Sequence, residues 1–185
     1  MFRRLSESKM LSKLFTRLCL VVLCLQGALA APDSESCVGS PKQFVQAFYD
    51  WYTPVIFHRH NVPAWEVAIK HRGQFFDGPL KAALNEDALA QARSPDEIVG
   101  LDTDPFVNSQ DPVAHYAVAG TTSQKSGVLV HVKSWGEKPS DRGPAVDVEL
   151  VCKDHSWKFT NFRYERDNLI SLLARLKSAR DAHRR

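Results

Sequence analysis

Several kinds of chemistry are missing from this chain of 185 residues, and each absence removes a class of function. No Ser-centred nucleophile elbow, phosphate-cradling glycine loop, Rossmann glycine pattern or Cys–His nucleophile signature occurs. There is no internal repeat and no low-complexity stretch. The apolar run Leu18 to Leu25 stops far short of the roughly 20 residues that cross a bilayer. Seven histidines are scattered, and His58 and His60 stand two apart, pointing to different helix faces; no set of three or four converges as zinc requires. Basic residues are also scarce where they would count. The chain has 24 Lys plus Arg against 21 Asp plus Glu, but Arg3, Arg4, Lys9, Lys13 and Arg17 crowd the start against one acid, Glu7. Without that segment 19 basic and 20 acidic residues remain, a net charge near −1 that excludes a nucleic-acid footprint.

What the start of the chain does carry is an address. A basic segment, the short apolar run and Ala28-Leu29-Ala30 before Ala31-Pro32 are the three parts of a secretory signal peptide. Residues 1–30 are therefore expected to be removed near Ala30/Ala31, leaving a periplasmic protein with no transmembrane segment. Met10 begins a more ordinary signal by itself. Leu5-Ser6-Glu7 makes a poor twin-arginine motif, and neither Cys24, after Leu23, nor Cys37, after Glu35-Ser36, stands in the setting that lipid attachment requires. Cys19 and Cys24 leave with the signal. Cys37 and Cys152 remain, and two cysteines in an oxidising compartment are expected to form a disulfide, the alternative being two buried thiols.

The mature chain is long enough for one domain with one core. After a short segment, 31–39, the pattern is first helical and then alternating. Ser40-Pro41 is an N-cap with proline at the first helical position, and Phe44, Phe48, Trp51, Tyr52 and Val55 form a stripe. Pro54 ends or kinks that helix. Two more helices fit Ala64 to Arg72 and Pro79 to Ala92. Strands are expected over His115–Thr122, Gly127–Trp135, Pro144–Cys152 and Trp157–Tyr164. A tight turn at Asp154-His155 sets Trp157 opposite Cys152 and Phe159 opposite Leu150. Across the central pair, His131 is expected near Glu149 and Lys133 near Asp147. Asp167 caps a last helix bearing Leu169, Leu172, Leu173 and Leu176, and residues 177–185 read as a basic C-terminal tail, the solvated end of a helix. The class is α+β: N-terminal helices on a four-stranded antiparallel sheet, with a closing C-terminal helix.

Three strings carry a resemblance: Phe48-Tyr49-Asp50-Trp51-Tyr52, the stretch Asp102-Thr103-Asp104-Pro105-Phe106-Val107-Asn108-Ser109-Gln110-Asp111, and the hairpin Val148–Cys152 to Trp157–Phe159. Over roughly residues 40–176 the chain resembles secreted bacterial proteins of the YbjP/YqhG type, a domain family of unknown function. The resemblance implies a nuclear-transport-factor-2-like fold, a cone of curved antiparallel sheet around helices. That superfamily holds isomerases, dehydratases, carriers and interaction modules, and fold does not choose among them. The His155-Ser156 turn departs from the family, where a glycine is usual.

Binding candidates follow from the same strings. Asp102, Asp104, Gln110 and Asp111 cluster oxygen-bearing side chains, but Pro105-Phe106 stands where a calcium loop needs a ligand and a glycine. The structural alternative has Asp104 capping a turn that begins at Pro105, with Phe106 anchored in the core. Trp51 and Tyr52 suit either a core or the wall of a cavity, with Phe48 inside and Tyr49 outside. His131 with a carboxylate could serve acid–base chemistry in a pocket, or simple cross-strand pairing on an open face. No cofactor is expected. The expected function is a non-enzymatic module binding an envelope protein or a small apolar or amphipathic ligand. Alternatives are a small isomerase, dehydratase or hydrolase using an acid from Asp102, Asp104 or Asp111, and a periplasmic immunity or inhibitor protein.

Overall fold

The computed structural model describes residues 36–183. The expected signal peptide at 1–30 and its expected cleavage position at Ala30/Ala31 lie outside the described residues, as do Arg184 and Arg185. Within them the order is α1 (Pro41–Phe57), α2 (Ala64–Arg72), a 3-10 turn (Gly73–Phe75), α3 (Gly78–Ala92), β1 (His115–Gln124), β2 (Gly127–Trp135), β3 (Val146–Lys153), β4 (Ser156–Arg163) and α4 (Leu169–His183). The four strands form one antiparallel sheet in sequence order. The fold is α+β. No helix among the described residues is long and apolar enough to cross a membrane.

Local signals explain the helix starts. Ser40 and Gln43 close a reciprocal capping box at the head of α1, and Pro41 occupies a position whose N–H would be unpaired anyway. Pro54 does not end α1. The carbonyl it leaves without a helical partner belongs to Asp50, which is exposed to solvent, and the helix runs on to Phe57. Asp77 caps α3 by accepting the Leu80 N–H at 2.9 Å. The last helix is capped one residue later than the sequence suggests: Asn168 accepts the Ser171 N–H at 3.0 Å, while Asp167 pairs with Arg175.

One face of the sheet is covered by helices. Val130, Val132, Val146, Val148, Leu150, Phe159 and Phe162 are buried there against Phe48, Tyr49 and Tyr52 of α1, Leu80 and Leu84 of α3, and Leu169 and Leu173 of α4. The β3–β4 register sets Cys152 opposite Trp157 and Leu150 opposite Phe159. The turn between them needs positive φ at both Asp154 (51°) and His155 (58°), a type I′ geometry made here without glycine. The β2–β3 register differs from expectation by two residues: His131 faces Asp147, and Glu149 faces Leu129. The cause lies in the connection, which stays paired well beyond Trp135. Gly143 N–H donates to the Ser134 carbonyl and Gly136 N–H to the Asp141 carbonyl, so the true turn is short and late.

Cys37 and Cys152 form a disulfide with 5.6 Å between their Cα atoms, closing a separation of 115 residues. It straps the segment before α1 onto the β3–β4 hairpin. Val38 N–H donates to the His155 carbonyl and Trp157 Nε1–H to the Gly39 carbonyl, both at 3.0 Å. At the other end the basic residues stand on a helix, mostly exposed, with Arg180 the exception. Helix α4 continues through His183, Lys177 pairs with Glu86, and Arg180 is drawn inside against Asp87.

Candidate functional site

The stretch 102–111 folds into a closed loop that plugs the core. Asn108 adopts φ 50°, the left-handed turn tolerated best by asparagine among non-glycine residues, which brings the Ser109 carbonyl back to accept the Asp104 N–H at 3.1 Å. Phe106 and Val107 are fully buried beneath it. Three tyrosine hydroxyls hold the plug. Tyr49 donates to the Phe106 carbonyl at 2.7 Å, Tyr164 to the Pro105 carbonyl at 2.8 Å, and Tyr52 to Asp104 Oδ2 at 2.5 Å. Asp104 Oδ1 accepts the Phe106 N–H at 3.0 Å, a local cap over the proline turn.

Electrostatics at the plug follow from burial. The Asp104 carboxyl is enclosed, and loss of water pushes it up to about 6; the Tyr52 hydroxyl and the Phe106 and Val107 N–H groups pull the other way. Burial, reinforced by the neighbouring Asp104 charge, raises both Tyr49 and Tyr52 well above the ordinary phenol range. Both therefore stay protonated as donors, and the short Tyr52–Asp104 contact is a charge-assisted bond. Around it the rings pack closely. Phe48 stacks on Tyr52 at 5.3 Å and meets Phe106 and Phe159 edge-on at 5.7 and 4.8 Å.

The other residues singled out in the sequence do not join Asp104. Asp102, Gln110 and Asp111 are exposed, with Gln110 donating to the Asp102 carbonyl and Asp111 N–H to Ser109 Oγ. Trp51 is half-buried on the flank, with the Arg72 guanidinium 4.9 Å over its ring. Tyr49 is inside rather than outside, 1% exposed and stacked on Tyr116, because its hydroxyl finds a carbonyl partner there. His131 sits on the open face with 37% of its side chain exposed; Nδ1 contacts Asp147 Oδ1 at 2.8 Å and Nε2 contacts Thr122 Oγ1 at 2.9 Å. Glu149 pairs instead with Arg163, and Lys133 lies over the Trp135 ring. Among the described residues no three His, Cys, Asp or Glu side chains converge as a metal site.

Sequence reasoning missed one buried polar centre. Asp87 on α3, 1% exposed, accepts the Leu101 N–H at 2.8 Å and Arg180 Nη1 at 2.6 Å, and Arg180 also donates to the Val99 carbonyl. One turn on, Gln91 accepts the N–H groups of Val99 and Gly100 and donates to the carbonyls of Ser94 and Glu97. The clasp orders the 94–101 loop that leads into the plug. An acid among apolar positions of α3 was its only trace in the sequence.

Clefts open on the outside of the described residues. One, about 720 Å³, lies along α2 and α3 between Trp65, Ile69, Lys70 and Lys81. A second, about 510 Å³, lies at the sheet end between Lys133, Trp135 and Arg142, and a third, about 300 Å³, separates α3 from α4. None of the three is lined by Trp51, Tyr52 or Asp104. No protein-family model, curated protein or solved structure matches the chain.

Proposed function

We propose that the chain is an exported module of the bacterial envelope, of the YbjP/YqhG type, which binds through its outer surface and catalyses nothing itself. The observation that carries this reading is the use made of Asp104. Its two oxygens serve Tyr52 and the Phe106 N–H inside a packed aromatic cluster, so the acid best placed for chemistry is committed to holding the fold. The sequence at 1–30 and the Cys37–Cys152 bridge support an oxidising compartment. Native mass spectrometry of the protein recovered separately from the periplasmic and cytoplasmic fractions tests both parts. The expected species begins at Ala31, is oxidised, and releases its bound partner chemically unchanged. A cytoplasmic species with free thiols contradicts export, and a converted ligand contradicts the absence of catalysis.

One observation favours the enzymatic alternative. Thr122, His131 and Asp147 form a hydrogen-bonded chain in the order hydroxyl, imidazole, carboxylate. It lies on an exposed sheet face and lines none of the three clefts. Loss of a measured turnover in His131→Gln, with unchanged unfolding, would establish this second reading.

A further inference from the structure

We propose that the cleft along α2 and α3 binds an anionic amphiphile: one carboxylate or phosphate head on an unbranched hydrocarbon chain. The inference rests on the binding-module reading and assigns it a site. Its volume of about 720 Å³ lies within the range that holds a small organic ligand. The floor is apolar. Trp65 and Ile69 are 4% and 7% exposed, and Val62 at the rim leaves 46% of its surface in water. Such a strip takes hydrocarbon at about 25 cal/mol for each Å² withdrawn from water.

The rim carries more positive than negative charge. Lys70 and His71 stand on the last turn of α2, and Lys81 reaches across from α3. The Lys81 ammonium lies so close to Gly73 that a Cβ there would come within 2.9 Å of Nζ. Gly73 follows α2, and the last turn of a helix is its negative pole. That pole steadies the cation without supplying a neutralising carboxylate. Among the described residues neither Lys70 nor Lys81 belongs to an ion pair. Glu66 is the single acid on the lining, one carboxylate against two ammonium groups. Two cations above an apolar floor complement an anionic head joined to a chain.

Isothermal titration of the oxidised exported protein with four probes of equal chain length, each below its micelle concentration, is the test. Dodecanoate and dodecyl phosphate are expected to bind, and the stronger of the two distinguishes a fatty-acid source from a phospholipid one. Dodecyl maltoside and dodecyltrimethylammonium are expected at least about tenfold weaker, and K70E/K81E should weaken dodecanoate by a similar factor. K133E/R142E, at the other cleft, should stay within about twofold, and Lys81→Ala, a milder change, should give an intermediate loss. Unfolding midpoints confirm that each variant folds. Equal binding of all four probes, or an unaltered K70E/K81E, overturns the proposal. Binding of none overturns it too, while leaving the module reading standing with a protein as partner. Turnover of a probe would instead overturn that reading.

Discussion

Asp87 and Asp104 are both carboxylates withdrawn from water, and they are held in opposite ways. Asp87 faces a guanidinium brought from 93 residues away, with one backbone N–H as a second donor. Asp104 has no cation. Dipoles alone serve it: a tyrosine hydroxyl and the N–H groups of the turn it caps. The first arrangement ties the end of the chain to α3, so its strength depends on a distant partner. The second is mostly local, and its cost is carried by a proton equilibrium. An acid in a suggestive motif and an acid in an unremarkable helix thus do comparable structural work.

The largest expected effect breaks the Asp87 side. Arg180→Ala leaves Asp87 buried against one N–H, and urea unfolding at pH 7 should show a loss of about 3–5 kcal/mol, most of it recovered by D87N/R180M. An effect of about 2–5 kcal/mol is expected from Cys37→Ser, which releases the strap from the hairpin and lengthens the free loop of the unfolded chain.

The Asp104 side is sharpened by pH. Its folded carboxyl holds a proton up to about 6, above the ordinary 3.8, so this group's contribution is fullest below pH 4 and is lost as pH rises through 6. The change corresponds to roughly 3 kcal/mol. Asp104→Asn should flatten the stability profile across that interval. Half-buried Asp167, held low chiefly by Arg175, acts in the reverse sense only at more acid pH. The smallest effect expected is at the turn: His155→Gly relieves a left-handed residue and should raise stability by about 0.5–1 kcal/mol.

What the sequence made legible was local. Ser40-Pro41, the Asp154-His155 turn with its register, the cap of Asp104 on Phe106 and the pairing of two cysteines each rest on neighbouring residues or on simple counting. The partners that cross the fold were not legible. Nothing near Tyr49 announces that the Phe106 carbonyl will take its hydroxyl, and nothing near Arg180 announces Asp87. The β2–β3 register slipped for a similar reason: valines alternate equally well at either offset, and the deciding bonds lie in the connection at Gly136 and Gly143. The Lys81 cleft depends on α2 and α3 lying side by side, which no motif encodes.

The proton on Asp104 is the most direct witness to a packed interior that holds an acid for structure. A titration of its carboxyl carbon by ¹³C NMR in the oxidised protein should give a midpoint near 6, shifting little when dodecanoate is added. A midpoint at or below the ordinary aspartate value would mean a solvated or cation-paired carboxylate, and would contradict the account.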